Sequence, residues 1–321
     1  MHKGFKRLFS YFNDSHLRTS TPSCRRDKEF YEGQLTKFQQ ALDAVEQSPY
    51  TFHGGDLFSL HDPAISLVYD AILLLRRRAR KLLINPGNHD FFGAQEGTLR
   101  RSGLGLLMAA DVIDLMISGE AAYQEAGHPN VIVRSAPYQL EYSEKLYWFE
   151  KKQMDAIHVI MLHDMLTTRE VIFPHRLISK VKTNADVVLC SHWHEPFIVK
   201  VGATWFINSG PLEIQSVGDV KLKPAVVHVD ISSEGALVPS FEYLAHTGYE
   251  KVEASEKPLA AEDVVVGQEF IEHLKASVVT DGSDIPQAIR CIAQAAKSPV
   301  PVIERALERV EVAKKTLDME V

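Results

Sequence analysis

The sequence predicts an α/β sandwich, and two patterns in the first two-thirds of the chain support this fold class. Short apolar runs that end in turn residues are typical of buried strands. Between them lie stretches with apolar residues three and four positions apart, which is the spacing of amphipathic helices. Strands that alternate with helices form sheets covered by helices. Strands are predicted at 8–12, 50–52, 82–84, 157–162 and 187–190, and helices at 30–45, 65–75 and 174–181.

The rest of the chain predicts a further sheet and a C-terminal appendage. Residues 197–243 contain short apolar runs separated by glycine turns, which predict a second sheet packed on the first. Residues 246–283 are polar and weakly patterned, as in a linker or a reduced capping region. Residues 284–321 predict two helices, which either pack on the main domain or dock on a partner. We therefore expect a main domain at 1–245, a linker at 246–283 and a small helical segment at 284–321.

Composition and charge exclude several classes of protein. Of the 321 residues, 45% are hydrophobic and 24% are charged, which is the balance of a globular protein and not of a disordered or fibrous one. No apolar run approaches the length of about 18 residues that a membrane-spanning helix needs. The net charge of −7 excludes a constitutive polycation, so binding to nucleic acid would depend on local basic patches and metal ions. Three scattered cysteines without a paired motif fit a reducing compartment.

Polar side chains cluster directly after the predicted strands. Because loops at the strand ends of open α/β sheets converge on one edge of the sheet, we expect these side chains to share a single site. The clusters are Asp14-x-His16, Gly55-Asp56, Gly87-Asn88-His89-Asp90, His163 and His192-x-His194.

Seven of these side chains are metal-ligand types. Imidazole and carboxylate together suit manganese, iron or zinc, and the lack of cysteine in the clusters argues against structural zinc. Seven ligands are too many for one tetrahedral ion. They suit two ions that share a bridging carboxylate, an arrangement that clamps the attacking and leaving oxygens of a phosphoryl displacement. The seven are Asp14, His16, Asp56, Asn88, His163, His192 and His194.

These clusters resemble the five motifs of the calcineurin-like metallophosphoesterases, which are D-x-H, G-D, G-N-H-D/E, H and G-H-x-H. Within that superfamily the sequence is most similar to the SbcD-type DNA repair exonucleases. The closer similarity rests on residues 14–17, 54–58 with Pro63, and 86–90, on 185–190 before the last metal motif, and on 207–210 after it. The resemblance covers about residues 8–232 and implies two mixed β-sheets flanked by helices.

The resemblance implies a role for each residue. Asp14, His16, Asp56 and His194 would hold one ion, and Asp56, Asn88, His163 and His192 would hold the second, so that Asp56 bridges them. His89 matches the catalytic histidine of the family, which protonates the leaving oxygen or stabilises charge on the phosphorane. Asp90 could orient the imidazole of His89. The resemblance implies Mn²⁺ as the ion, while the ligand set itself also fits iron or zinc.

Two positions depart from the family pattern. Ser191 replaces the glycine before the last H-x-H motif and adds a side chain where backbone and substrate could lie close. Ser59 stands where the SbcD-type nucleases usually have histidine, and His61 is the candidate to contact the same phosphate. If His61 does not reach this phosphate, the protein could still hydrolyse phosphoesters, but its geometry would be less suited to exonuclease cleavage. The basic residues of the segment 18–28 follow the first metal motif and could flank an entering phosphate chain.

The resemblance implies a metal-dependent DNA nuclease, the exonuclease or endonuclease subunit of an SbcCD-like repair or recombination complex. Such a protein would bind DNA through its backbone, act in the bacterial cytoplasm whether cell- or phage-encoded, and form a homodimer. The C-terminal helices occupy the place where the family docks on its SbcC-like coiled-coil ABC ATPase. Two alternatives stay open: a small-molecule or nucleotide phosphodiesterase of the same superfamily, and a poorly catalytic DNA-binding scaffold with Ser59 and Ser191 as signs of lost activity.

Overall fold

The computed structural model describes residues 4–245 apart from 23, 93–95, 118, 140–141, 151, 172–173, 217–218 and 220. All of them belong to the first of the two units of the chain, Met1–Glu256. The linker predicted at 246–283 and the helical segment predicted at 284–321 lie outside the described residues, and both stay predictions. None of the described helices has the length and apolar character needed to cross a membrane.

The described residues form three α-helices and fourteen strands. In chain order these elements are β1 (Phe5–Phe12), α1 (Phe30–Val45), β2 (Thr51–His53), α2 (Ile65–Leu75), β3 (Leu82–Ile84), α3 (Gly103–Ala109), β4 (Ile113–Leu115), β5 (Gly119–Tyr123), β6 (Asn130–Ala136), β7 (Ala156–Leu162), β8 (Leu166–Thr167), β9 (Arg176–Leu177), β10 (Val187–Cys190), β11 (Phe197–Val201), β12 (Thr204–Asn208), β13 (Ala225–Ser232) and β14 (Leu237–Tyr243).

Two six-stranded sheets contain most of these strands. The first has the order β14-β13-β1-β2-β3-β4, in which β1 to β4 run parallel and β13 and β14 run antiparallel to their neighbours. The second has the order β11-β12-β10-β7-β6-β5, with four parallel strands in the middle and an antiparallel strand at each edge. Both sheets are therefore mixed, which confirms the predicted sandwich.

Buried apolar side chains fill the space between the sheets and cover their outer faces. Phe9 and Phe52 of the first sheet pack in one cluster with Val159 and Val187 of the second. The three helices cover the other face of the first sheet, because their apolar stripes pack on β1, β3 and β4. A loop covers the other face of the second sheet and buries Phe149 there. Among the described elements, α-helices thus flank the first sheet only.

The helices predicted at 30–45 and 65–75 are confirmed at the same bounds, but two other predictions of local structure are wrong. Residues 174–181 are not an α-helix: β9 pairs in parallel with β8, and a short turn at Ile178–Lys180 buries Ile178 in the core. Residues 197–243 do not form one separate sheet. β11 and β12 join the second sheet, whereas β13 pairs with β1 and completes the first.

Candidate metal centre

Five loops bring the predicted metal ligands together. Each loop follows the C-terminal end of a parallel strand, namely β1, β2 and β3 in the first sheet and β7 and β10 in the second. The histidine and aspartate side chains form three overlapping groups, and the ligand atoms of each group lie within 4.8 Å of one another. The groups are Asp14 with His16 and His194, Asp56 with His163 and His192, and His16 with Asp56 and His89. Asn88 joins them, because its Oδ1 lies 3.1 Å from Nε2 of His163.

Asp56 links the groups to one another. Its Oδ2 lies 3.3 Å from Nε2 of His163 and 3.8 Å from Nε2 of His16. Its Oδ1 accepts a hydrogen bond from the backbone N–H of His89 at 2.9 Å. One buried carboxylate therefore faces imidazoles from two ligand groups, which is the position that a ligand bridging two metal ions would take.

The backbone is strained at four of the predicted ligands. The φ angle is 49° at Asp14, 45° at His16, 52° at Asp56 and 73° at His192. Among the described non-glycine residues, Asp111 is the one other case of positive φ. Such conformations cost about 1–3 kcal/mol each and cluster at functional sites. Here the strained turns after the strands aim the ligand side chains at one another.

The loops after β2 and β3 lie very close together. The close approach requires glycine at position 87, and backbone N–H groups of both loops share one hydrogen-bond acceptor. A Cβ on Gly87 would overlap Oδ1 of Asp56 and the imidazole of His163. The buried carboxylate of Asp90 holds the two loops together. Its Oδ2 accepts hydrogen bonds from the N–H groups of Asp56 at 2.7 Å and Gly87 at 2.8 Å, and its Oδ1 accepts one from the N–H of Leu57 at 3.2 Å.

The expectation that Asp90 orients His89 is therefore corrected. The carboxylate of Asp90 is turned toward main-chain N–H groups, and Nδ1 of His89 instead lies 2.8 Å from the carbonyl oxygen of Ser59. Because a carbonyl oxygen can only accept a hydrogen bond, Nδ1 carries the proton and Nε2 is the free nitrogen of the neutral ring. The hydroxyl of Ser59 donates to the carbonyl of His16 at 2.7 Å, so Ser59 connects the first and third metal motifs.

Two other imidazoles are oriented in the same way. Nδ1 of His163 donates to the carbonyl oxygen of Gly54 at 2.8 Å, which leaves Nε2 directed at Asp56. Nδ1 of His194 lies 3.3 Å from Oδ1 of Asp219, a carboxylate that also accepts hydrogen bonds from a neighbouring turn. Partners of this kind fix the tautomer of a metal-binding histidine and increase its basicity. Asp219 is not predictable from the sequence, since no motif spacing connects it to His194.

A buried polar network supports Asp14 from behind. The side-chain amide of Asn13 donates to Oδ2 of Asp14 and to Oδ1 of Asn208, the latter at 3.1 Å. The hydroxyl of Ser209 accepts a hydrogen bond from the N–H of Asn13 at 3.0 Å. Residues 208–210 thus position the turn that carries Asp14, a role that their sequence motif alone does not indicate.

Ser191 and His61, the residues that bear on the two departures from the family pattern, lie in different surroundings. Ser191 is fully buried, and its hydroxyl donates to the carbonyl oxygens of Gly54 at 2.7 Å and Leu162 at 2.9 Å. Its side chain thus lies close to the backbone of two loops and connects them from within. The ring of His61 packs edge-on against Phe92, with ring centroids 4.9 Å apart, and its Nε2 lies 3.7 Å from a carboxylate oxygen of Asp62.

Burial and charge set the protonation of the cluster. Burial lowers the pKa of His16 and of His192 to about 3, so both imidazoles are neutral near pH 7. Burial acts in the same direction on His163, but the carboxylate of Asp56 outweighs it and raises the pKa of His163 to about 9. Burial also disfavours ionisation of Asp56, yet His163 outweighs that effect and holds the pKa of Asp56 below its usual range. These opposed effects concentrate charge at the pair formed by Asp56 and His163.

The donor atoms fit divalent metal ions. Oδ2 of Asp14 is hydrogen-bonded by Asn13 and by the N–H of His192, whereas Oδ1 is buried and has no hydrogen-bond partner among the described residues. An unpartnered carboxylate oxygen is costly inside a protein, and a bound cation would compensate it. The cluster offers imidazole nitrogens and carboxylate and amide oxygens, which suit manganese, iron or zinc.

A cavity of about 640 Å³ opens onto this cluster. Its lining combines members of the cluster, an apolar group and a polar group. The cluster contributes His16, Asp56, His89, His192 and His194, the apolar group includes Leu60, Pro63 and Leu67, and the polar group includes Arg18, Ser20 and Gln215. The structure thus places an accessible space next to the predicted ligands and His89.

Among solved structures, three distant matches are phosphoesterases of different kinds. A Staphylococcus aureus protein assigned as a 5′-nucleotidase, solved with alpha-ketoglutarate, is 14% identical with a TM-score of 0.45, over 81% of this chain and 57% of its own. The present chain thus spans little more than half the length of that protein. An archaeal phosphodiesterase is 13% identical with a TM-score of 0.34, over 73% of this chain and 99% of its own. The phosphopantetheinyl hydrolase of Mycobacterium tuberculosis is 13% identical with a TM-score of 0.39, over 65% of this chain and 90% of its own.

The family assignment rests on the sequence rather than on those distant structures. A search of curated proteins found no match. The family model of the calcineurin-like phosphoesterases matches residues 9–196, which is more than half of the chain and includes every residue assigned above as a metal ligand. The chain therefore belongs to the calcineurin-like phosphoesterase family.

Proposed function

We propose that this protein is a metal-dependent phosphodiesterase that hydrolyses DNA, as the nuclease subunit of an SbcCD-like complex. The observation that supports phosphoester chemistry best is the position of Asp56. This residue connects two ligand groups, and its Oδ1 accepts a hydrogen bond from the backbone N–H of His89. The choice of DNA as substrate rests on the sequence resemblance to SbcD-type nucleases.

The ligand groups divide into two candidate metal sites. Asp14, His16, Asp56 and His194 would hold one ion, and Asp56, Asn88, His163 and His192 the other. When bound, two such ions would polarise the phosphoryl group and favour the ionised form of an attacking water. We expect Mn²⁺, with iron and zinc as alternatives that the same donor atoms accept.

His89 is the group that would act on the leaving oxygen. Its Nδ1 proton is held by the carbonyl of Ser59, so the Nε2 edge of the ring is the one available to substrate. A protonated His89 would donate its Nε2 proton to the oxygen that departs from phosphorus, and the neutral ring would then regain a proton from solvent water. The hydrogen bond from its backbone N–H to Asp56 keeps the ring beside the ligands.

A nucleotide or small-molecule phosphodiesterase is the second candidate. The observation in its favour is the position of His61, whose ring packs on Phe92 while Ser59 occupies the place of the nuclease histidine. A scaffold that binds DNA without cleaving it is less favoured, because all seven predicted ligands are grouped and the imidazoles of His163 and His194 are oriented by hydrogen-bond partners.

The proposal includes partners and a location. We expect DNA to be bound through its backbone, an SbcC-like coiled-coil ABC ATPase to bind the segment 284–321, and the protein to act as a homodimer in the bacterial cytoplasm. These expectations come from the resemblance alone. Co-purification of the chain with and without residues 284–321 against the ATPase would test the docking segment.

The test of the proposed function is release of label from a linear DNA duplex in the presence of Mn²⁺. The wild type is compared with His89→Ala and Asn88→Ala, and each protein is also assayed on bis(p-nitrophenyl) phosphate. Cleavage of DNA by the wild type that is lost in Asn88→Ala and strongly reduced in His89→Ala would support the nuclease. Hydrolysis of the small diester without cleavage of DNA would favour the second candidate. Inactivity on both substrates, with and without the ATPase, would favour the scaffold.

A further inference from the structure

Arg18 lines the same cavity as the metal ligands. The chain from His16 to Arg18 runs beside the loop after β2, because the N–H groups of His16 and Leu17 donate to the carbonyls of Asp56 and Leu57, both at 2.9 Å. The side chain of Leu17 is buried in the core, and His16 and Arg18 on either side of it both line the cavity. A positive charge therefore lies two residues from a predicted ligand and borders the space next to it.

A buried glutamine fixes the main chain of Arg18. The N–H of Arg18 donates to Oε1 of Gln34 at 2.9 Å, and the amide nitrogen of Gln34 donates to the carbonyl of Arg18. Gln34 lies on α1 and is 1% exposed. These reciprocal hydrogen bonds fix the backbone of Arg18, which reduces the conformational entropy lost when its side chain binds a ligand.

The guanidinium of Arg18 has neutral partners and spare donors. Its Nη1 lies 3.4 Å from Oε1 of Gln215, and its Nη2 lies 3.1 Å from Oγ of Ser20. Nε of Arg18 and Nε2 of Gln215 are both buried without a hydrogen-bond partner in the described part of the chain. The carboxylates lining the cavity are Asp56, which belongs to the metal cluster, and Asp62, which lies 3.7 Å from His61. The charge of Arg18 is thus not neutralised by an ion pair within the described residues.

We infer that Arg18, together with Ser20 and Gln215, binds a second phosphate of the substrate, next to the phosphate at the metal cluster. A guanidinium binds phosphate through two parallel N–H bonds, and Nη1 and Nη2 of Arg18 each keep a second N–H beyond the one directed at Gln215 or Ser20. In a nucleic-acid strand, each phosphate has a neighbour on the next nucleotide. The Arg18 group would therefore favour nucleotide chains over isolated phosphate diesters. The identity of the substrate as a nucleotide chain rests on the proposed function, whereas the second-phosphate site does not.

The test is calorimetric binding of three ligands to the Mn²⁺-loaded full-length protein: thymidine 3′,5′-bisphosphate, thymidine 5′-monophosphate and thymidine 3′-monophosphate. We expect the wild type to bind the bisphosphate at least about tenfold more tightly than the better monophosphate, since a charge-assisted hydrogen bond contributes that much. Arg18→Gln should reduce this preference to less than about threefold without weakening the monophosphates. Arg18→Lys, which keeps the charge, should retain part of it.

Arg80→Gln is the matched control, because it removes one positive charge from an exposed position whose partner is Glu125. It should leave the preference unchanged. The inference is overturned if the wild type shows no preference for the bisphosphate, if Arg18→Gln retains it, or if Arg80→Gln abolishes it equally. A wild type that prefers the bisphosphate but fails to cleave duplex DNA would contradict the proposed nuclease and still support the Arg18 site.

Discussion

The imidazole of His89 is held by the main chain of Ser59, whose carbonyl oxygen lies 2.8 Å from Nδ1. This hydrogen bond fixes the tautomer of the ring and directs Nε2 away from Ser59. The substitution of serine for the usual nuclease histidine at position 59 leaves this support intact, because it comes from the backbone. The orientation of His89 therefore comes from the backbone at position 59 and not from its side chain.

Replacing His89 separates proton transfer from metal binding. His89→Gln should lower kcat on DNA about 10²- to 10⁴-fold, since the departing alkoxide then lacks a proton donor. Hydrolysis of bis(p-nitrophenyl) phosphate should fall much less, because p-nitrophenolate leaves as a stable anion. The measurement is kcat on both substrates, with bound manganese determined by elemental analysis as the control for an intact centre. An equal loss on both substrates would contradict a proton-donor role.

Asp90 should act on the architecture of the centre rather than on His89. In Asp90→Asn, an amide NH₂ replaces one acceptor oxygen that faces the main-chain N–H groups of Asp56, Leu57 or Gly87. We expect the free energy of unfolding to fall by about 2–3 kcal/mol, measured by urea titration with chelator present. Asp155→Asn, at an exposed aspartate, is the control and should leave the free energy of unfolding unchanged. An unchanged stability combined with a loss of activity would instead support the orienting role that the sequence suggested.

Asp219 should increase the metal affinity of the centre through His194. Its Oδ1 lies 3.3 Å from Nδ1 of His194, so Asp219→Asn removes the charge that orients the ring and increases its basicity. We expect manganese affinity to fall about 10- to 100-fold, measured by competition with a fluorescent chelator. Asp62→Asn, which removes a carboxylate that lines the cavity, is the control and should change affinity little. Equal effects of the two substitutions would indicate a general electrostatic cause.

Ser191 should contribute to stability and not restrict substrate. Its buried hydroxyl donates to the carbonyls of Gly54 and Leu162, so Ser191→Ala should cost about 1 kcal/mol of unfolding free energy. Ser191→Gly should cost more, because glycine loses additional backbone entropy on folding. Urea titration measures both costs, and activity should stay within about threefold of the wild type. A large rise in activity for Ser191→Gly would mean that the side chain does obstruct the site.

The sequence predicted the elements whose signal is local. The apolar stripes of α1 and α2 are complete within each helix, and both helices have the predicted bounds. The stretch 174–181 has similar apolar spacing, but pairing of β9 with β8 decides its structure, and the apolar spacing within the stretch does not reveal such pairing. The division of 197–243 between two sheets is likewise a matter of long-range pairing with β1 and β10.

The candidate ligands were predictable and their supporting groups were not. Each ligand lies in a short motif directly after a strand, where side-chain identity carries the signal. The groups that orient them are the carbonyls of Gly54 and Ser59, which any residue type supplies, and Asp219, which lies 25 residues beyond His194. Sequence spacing does not reveal such partners, because the fold alone brings them into contact.

His53 should make the stability of the protein depend on pH. Its ring is fully buried against Phe12, Nδ1 accepts a hydrogen bond from the N–H of Gly55 at 3.2 Å, and Nε2 donates to Oγ of Ser15 at 2.9 Å. Burial lowers the pKa of His53 to about 3, whereas an unfolded chain has a histidine pKa of about 6.5. Between these values the unfolded state binds the proton and the folded state does not. The free energy of unfolding therefore rises with pH in this window, by about 1.4 kcal/mol per pH unit for this group, and the contribution is constant above it.

His53→Asn tests this contribution, because the asparagine Oδ1 can still accept from Gly55 while the titratable ring is gone. Urea titrations at pH 4, 5, 6 and 7.5, with chelator present so that metal binding does not contribute, give the slope of stability against pH. The slope between pH 4 and 6 should be smaller than that of the wild type by about 1.4 kcal/mol per pH unit. Equal slopes for the wild type and His53→Asn would mean that the folded protein accommodates a protonated ring at position 53, contrary to its complete burial.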